Sequence, residues 1–119
     1  MSVTCPYCGE QAPLTHSREV YGRDYGWLYM CKPCNAYVGC HKGTTKSKGS
    51  PANHSLREAR KSTHRAFDPI WRETLVDRRS AYKWLAEQLG IDGKDCHIGM
   101  FNLVQCELAI NACHERPIE

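Results

Sequence analysis

The sequence predicts an α+β fold, with a three-stranded antiparallel sheet at the N-terminus packed against three to four short helices. Three observations predict it. Two Cys-x2-Cys pairs, Cys5/Cys8 and Cys31/Cys34, bracket β-prone runs; residues 43–53 carry no apolar period; and beyond residue 54 apolar side chains recur at helical spacing behind cap signals. At 119 residues the chain fits one domain or two small lobes. The expected division is a ribbon over 1–42, an exposed basic loop over 43–53, and a helical region over 54–119 that packs on the ribbon as one compact unit.

The cysteine pairs justify the ribbon. In Cys5-Pro6-Tyr7-Cys8-Gly9, proline fixes one backbone angle and glycine accepts the positive φ that turns backbone amides toward the thiolates. Cys31-Lys32-Pro33-Cys34-Asn35 can make the same turn, because asparagine tolerates the left-handed region better than most residues. Four thiolates at this spacing form a closed tetrahedral site for one structural Zn2+, Cys5, Cys8, Cys31 and Cys34 being the ligands. A thioredoxin-like redox pair would need a βαβ setting that the pattern lacks. A ribbon this small buries little, so the metal supplies part of its folding energy. The chain has eight cysteines, but its first residues show no apolar or charged leader, which favours a reducing cytoplasm over a secreted disulfide scaffold. No stretch approaches the roughly 18 apolar residues of a membrane span.

Between the knuckles, residues 14–21 and 27–30 are β-prone and are separated by Gly22-Arg23-Asp24-Tyr25-Gly26; residues 36–40 add the third strand. The first helix is announced by Ser55-Leu56-Arg57-Glu58, a capping box. Leu56, Ala59, Thr63, Ala66 and Phe67 share one face of it, and Arg57, Arg60, Lys61, His64 and Arg65 the other. It should stop near Asp68, ahead of Pro69, with Asp68 capping a short helix that turns Ile70, Trp71 and Leu75 inward. A helix over 78–89 follows, presenting Ala81, Trp84, Leu85, Gln88 and Leu89 at helical spacing, with Gly90 as its left-handed stop and Ile91 packing back. Asn102 and Gln105 then open a last helix reaching about residue 114, whose buried stripe is Leu103, Cys106, Ile110 and Cys113, before Pro117 bars continuation.

Several blocks in order carry a resemblance. The Cys-Pro-x-Cys-Gly start, Tyr37-Val38-Gly39-Cys40-His41-Lys42-Gly43-Thr44, Ala66-Phe67-Asp68-Pro69-x-Trp71, Ala81-Tyr82-x-Trp84-Leu85-Ala86 and Cys96-His97-Ile98-Gly99-Met100-Phe101 resemble an uncharacterised zinc-finger-containing domain family of small bacterial and phage proteins. The resemblance spans nearly the whole chain and implies zinc and a soluble protein.

The net charge of +3 conceals a local concentration. Residues 42–65 hold seven bases, Lys42, Lys46, Lys48, Arg57, Arg60, Lys61 and Arg65, and one acid, Glu58, leaving the remainder of the chain net acidic. These bases are the candidate phosphate contacts of a zinc-stabilised nucleic-acid-binding accessory protein, with Tyr21, Tyr25 or Tyr29 available to stack on unpaired bases of DNA or RNA. The rival reading is a phage-type interaction module whose basic face docks on an acidic host protein. Cys40-His41 and Cys96-His97 are candidates for a second metal site or a thiolate-imidazole pair, against the plainer expectation of small buried thiols and hydrogen-bonded histidines. An enzyme is the least favoured class, since four thiolates leave zinc no open position for water. Its form would be a nuclease: Gly26-Trp27-Leu28-Tyr29, Tyr37-Val38-Gly39, Arg57, Arg60 and His64 resemble a GIY-YIG layout, with Glu58 and Glu73 as available carboxylates. The layout departs from that family at the first motif and by the knuckle set between the two strands.

Overall fold

The computed structural model describes residues 1–116, Tyr21 by its backbone alone. Two compact units divide the chain, Met1–Ser55 and Leu56–Glu119. The first carries strands β1 (Ser2–Thr4), β2 (Gln11–His16), β3 (Trp27–Cys31) and β4 (Ala36–Gly39), with a one-turn helix α1 (Arg18–Tyr21) after β2. Helices α2 (His54–Arg72), α3 (Arg78–Leu89) and α4 (Leu103–Glu115) follow, with 3-10 turns at Gly93–Asp95 and Ile98–Met100 between the last two.

The sheet is antiparallel in the order β1-β2-β3-β4, which makes four strands instead of the three expected. The added strand, β1, pairs Thr4 with Gln11 across the first knuckle, so each knuckle is the turn of a hairpin; the second joins Cys31 to Ala36. At three residues β1 is too short to show the alternation by which strands are recognised. The run expected over 14–21 ends at His16, because Ser17 leaves the extended region and α1 begins. Buried Ser17 knits the turn that follows: its Oγ donates to the Arg23 carbonyl (2.8 Å) and accepts from the Tyr25 amide (2.6 Å). The ribbon's buried cluster is small, with Cys5, Ala12, Tyr29, Cys31 and Ala36 at its centre.

The loop over 43–53 is less open than its composition suggests. Cys40 bridges to Ser47 and Tyr37 to Ala52, the Lys48 amide donates to the Gly39 carbonyl (2.9 Å), and Pro51 and Ala52 are buried. The buried Tyr29 hydroxyl donates to the Thr45 carbonyl (2.6 Å), tying the loop to the sheet.

In the second unit, α2 begins at His54, so Ser55 lies inside the first turn and Glu58 pairs with Lys61 (3.3 Å) instead of closing a capping box. The helix also runs through Pro69 to Arg72. Proline removes one backbone donor, yet buried Phe67 and Ile70 hold the chain on either side, and tertiary burial overrides the local preference. Asp68 is therefore not a cap. Its carboxylate accepts from Trp71 Nε1 (3.3 Å), faces His64 Nδ1 (3.3 Å) and lies 4.0 Å from the Arg72 guanidinium. Leu75, expected inward, is fully exposed at the tip of the α2–α3 turn, which Thr74 organises by donating to the Ile70 carbonyl and accepting from the Val76 amide (3.1 Å).

Phe67 packs on Tyr82 of α3 with ring centroids 4.6 Å apart, and the Arg78 guanidinium lies over both Trp71 and Tyr82 (5.5 and 5.4 Å). Trp71 and Trp84 are half-buried. Helix α3 is capped by Asp77 and ends at Gly90 (φ 68°), where the Ile91 amide donates to the Ala86 carbonyl (3.1 Å) as expected. The capping box of α4 forms, Asn102 accepting from the Gln105 amide (2.8 Å) and Gln105 from the Asn102 amide (3.0 Å). Its buried stripe is Cys106 and Ala109, flanked by half-buried Ile110 and Cys113; Leu103 is half-exposed. Pro117 lies outside the described residues. No helix among the described residues is long and apolar enough to cross a membrane.

Candidate metal centre

The two knuckles bring four thiols together. Gly9 takes φ 76° and its amide donates to the Cys5 carbonyl (2.9 Å), while the Cys5 amide donates to the Glu10 carbonyl (2.8 Å). Asn35 takes φ 50°, with its amide on the Lys32 carbonyl (3.1 Å). The positive φ expected at each turn is thus present in both, and Asn35 is the one described non-glycine residue that adopts it. All four Sγ atoms lie within 4.8 Å of one another, with Cys8 and Cys31 at 3.7 Å. Metal–sulfur bonds of about 2.3 Å in a tetrahedron set sulfur atoms about 3.8 Å apart, so the spacing fits a four-thiolate site. Cys5 and Cys31 are buried, Cys34 is half-buried and Cys8 is exposed.

The electrostatics of the cluster call for a cation. Burial works against the Cys5 thiolate, but the backbone amides of Tyr7 and Cys8 and the neighbouring thiols outweigh it and lower its pKa. Cys31 moves the other way: the Cys34 amide favours its thiolate, but burial and the Cys8 and Cys5 thiols prevail and raise it. Cys34 is pushed up to about 12, first by its contact with Cys8 and then by burial and the remaining thiols. Charge placed on one sulfur hinders ionisation of the next, a conflict that a bound divalent ion removes.

Among the described residues this is the one group that gathers three or more His, Cys, Asp or Glu ligand atoms; Cys40, His41, Cys96 and His97 belong to none. Cys40 packs against the ribbon core, and burial raises its thiol despite the opposing charge of Lys48. Cys96 is buried in the second unit, beside a cleft of about 870 Å3 that Arg78, Tyr82 and exposed His97 also line. Burial pushes the Cys96 thiol up to about 11, which leaves almost no thiolate at neutral pH for a nucleophilic pair.

The bases divide between the units. Lys42, Lys46 and Lys48 are exposed on the ribbon loop, and none makes an ion pair among the described residues. In α2, Arg65 is exposed, Arg57 and Arg60 are half-buried, and Lys61 is paired with Glu58. Arg60 serves the fold, its Nε donating to the Phe101 carbonyl (3.0 Å). The residues that resemble a nuclease layout are similarly engaged: the Tyr29 hydroxyl on Thr45, Glu58 on Lys61, His64 on Asp68.

Of the tyrosines expected to stack, Tyr29 is buried, Tyr25 is 68% exposed, and the Tyr21 side chain lies outside the described residues. The aromatic side chain that sequence reasoning missed is Trp27, 44% exposed at the start of β3. It lines a cleft of about 600 Å3 with His16, Tyr25, His41, Lys42 and Lys48. Only the β2–β3 register, which sets Trp27 opposite His16, discloses this placement, and composition carries no trace of it.

Neither the curated proteins nor the solved structures give a match to this chain. The sequence profile of the zinc-finger-containing domain family matches residues 1–116, which takes in both knuckles and all the helices. The chain therefore belongs to the zinc-finger-containing domain family.

Proposed function

We propose that this protein is a nucleic-acid-binding accessory protein whose ribbon is held by one structural Zn2+ on Cys5, Cys8, Cys31 and Cys34. The observation that carries the reading is the organised lysine loop. Lys42, Lys46 and Lys48 sit on a segment pinned to the sheet by the Cys40–Ser47 bridge and the Tyr29–Thr45 hydrogen bond. The chain from His41 to Arg57 contains no acid. Cations held in place by a folded loop meet a phosphate backbone with less loss of conformational freedom than cations on a floppy one. Zinc suits the site because four thiolates close its coordination sphere, so the ion's role is structural.

The test is fluorescence-anisotropy titration of the zinc-loaded protein with labelled DNA and RNA across a salt series, beside a Lys42/Lys46/Lys48→Ala variant. The expected result is binding whose log-log salt slope falls by about 0.7 to 0.9 for each lysine that meets a phosphate. Absence of binding overturns the reading, and retention of protein partners from a nuclease-treated lysate then favours an acidic protein.

A further inference from the structure

We infer that the cleft lined by Trp27 and the lysine loop is a seat for one unpaired nucleobase and its flanking phosphates, so that the protein prefers single strands to duplexes. The inference rests on the nucleic-acid reading above and specifies what the ribbon recognises.

Four features of the cleft fit that occupant and no other common one as well. Its volume of about 600 Å3 lies within the range of small-ligand sites and exceeds what a single base needs. Its aromatic wall is Trp27, a large and partly exposed indole on a strand rather than on a loose loop. That indole packs against His16 in a T-shaped contact, with ring centroids 5.0 Å apart and an interplanar angle of 77°. His16 is itself oriented: Nδ1 accepts from the Arg18 amide (3.2 Å), which leaves Nε2 to face Asp24 (3.4 Å). The platform is therefore fixed before any ligand arrives.

Charge supplies the third feature. Lys42 and Lys48 border the same cleft, and its one acidic lining residue, Asp24, is engaged by His16 and by Arg18 (3.8 Å). A neutral aromatic ligand would use the indole and leave the lysines idle, and a bare phosphate would use the lysines and leave the indole idle. A nucleotide within a strand uses both. The fourth feature is access. Paired bases stack on one another inside a duplex and cannot present a face to Trp27, whereas unpaired bases can.

The experiment is anisotropy titration of the zinc-loaded full chain with a labelled oligothymidine, the same strand bearing abasic sites, and a duplex of equal length. Wild-type protein is compared with Trp27→Ala and Trp27→Phe at one salt concentration and along a salt series. Expected are tighter binding of oligothymidine than of duplex, and a loss of about 5- to 150-fold for Trp27→Ala on oligothymidine alone. Trp27→Phe should recover most of that loss, and the salt slope should not move. The abasic strand bound by wild-type protein should lose as much as Trp27→Ala does, and this comparison decides the matter if the alanine variant fails to fold. Equal binding of abasic and intact strands, or equal loss on the duplex, overturns the base seat. Salt-dependent binding that ignores Trp27 removes the seat and leaves the nucleic-acid reading standing, whereas absence of binding to every probe removes both.

Discussion

Stripping the metal should unfold the ribbon and leave the helices. Two of the five residues at the centre of the ribbon's buried cluster, Cys5 and Cys31, belong to the four-thiol group that could hold the ion, and Cys34 packs against the same cluster. A structural zinc in a site of this kind contributes about 10–16 kcal/mol at neutral pH. Whole domains are stable by only about 5–15 kcal/mol, so losing the ion exceeds what the remaining small core can supply. The second unit has buried Phe67, Leu85, Ile98 and Phe101, none of them a ligand. Hydrogen exchange read by mass spectrometry, on protein treated with a strong chelator and on Cys31→Ser, should show β1 to β4 exchanging as open chain. Amides of α3 and α4 should keep their protection, and the far-ultraviolet helical signal should persist. Full protection of β3 in metal-free protein would refute the reasoning, as would Cys31→Ser that melts like wild type with its metal retained.

Asn35→Val should lose metal to a competing chelator and cost about 1–2 kcal/mol, because a β-branched residue is strained at φ 50°, while Asn35→Gly should hold metal as wild type does. Phe67→Ala should destabilise the second unit by about 3–5 kcal/mol in denaturant titration, since the ring is fully buried against Tyr82; a loss under about 1 kcal/mol would contradict that packing. The Ser80 amide and hydroxyl hold the Asp77 carboxyl below the usual carboxylate range. A depressed folded-state pKa gives stability that is present above the unfolded value of about 3.9 and is lost as pH falls through the folded one. Thermal melts between pH 5 and 2 should therefore show wild type losing more stability than Asp77→Asn, whose amide caps α3 without titrating; parallel melts would show that the carboxylate is idle.

What could be read from the sequence was local chemistry with a fixed geometry. The two Cys-x2-Cys turns whose four thiols meet, the positive φ at Gly9 and Asn35, the stop at Gly90 and the Asn102/Gln105 box each depend on short local motifs, and each is present. What could not be read depends on partners distant in the chain. Pro69 reads as a helix stop until Phe67 and Ile70 are seen to be buried. Leu75 and Leu103 read as core because helical periodicity counts apolar residues without knowing whether anything faces them. The charge of Arg60 is visible in the sequence, but its bond to the Phe101 carbonyl, across a long separation, is not. The four-strand sheet and the Trp27 cleft both follow from strand register, which composition does not encode.

Strand β3 joins the metal to the loop in a single row. Cys31, Tyr29 and Trp27 alternate along it and so share one face, the first in the four-thiol cluster, the second bonded to Thr45 of the lysine loop, the third the wall of the cleft. About 13 Å of strand separates the first from the last. A slip of one residue in this hairpin would turn all three to the opposite face, and would take Cys31 out of the four-thiol cluster. On the nucleic-acid reading proposed above, metal occupancy and strand binding are linked quantities. By thermodynamic reciprocity, an oligonucleotide that binds the loaded ribbon tightens the equilibrium affinity for the ion by the same factor by which the ion tightens the affinity for the oligonucleotide, so an equilibrium chelator competition run with and without oligonucleotide would measure the coupling from either side.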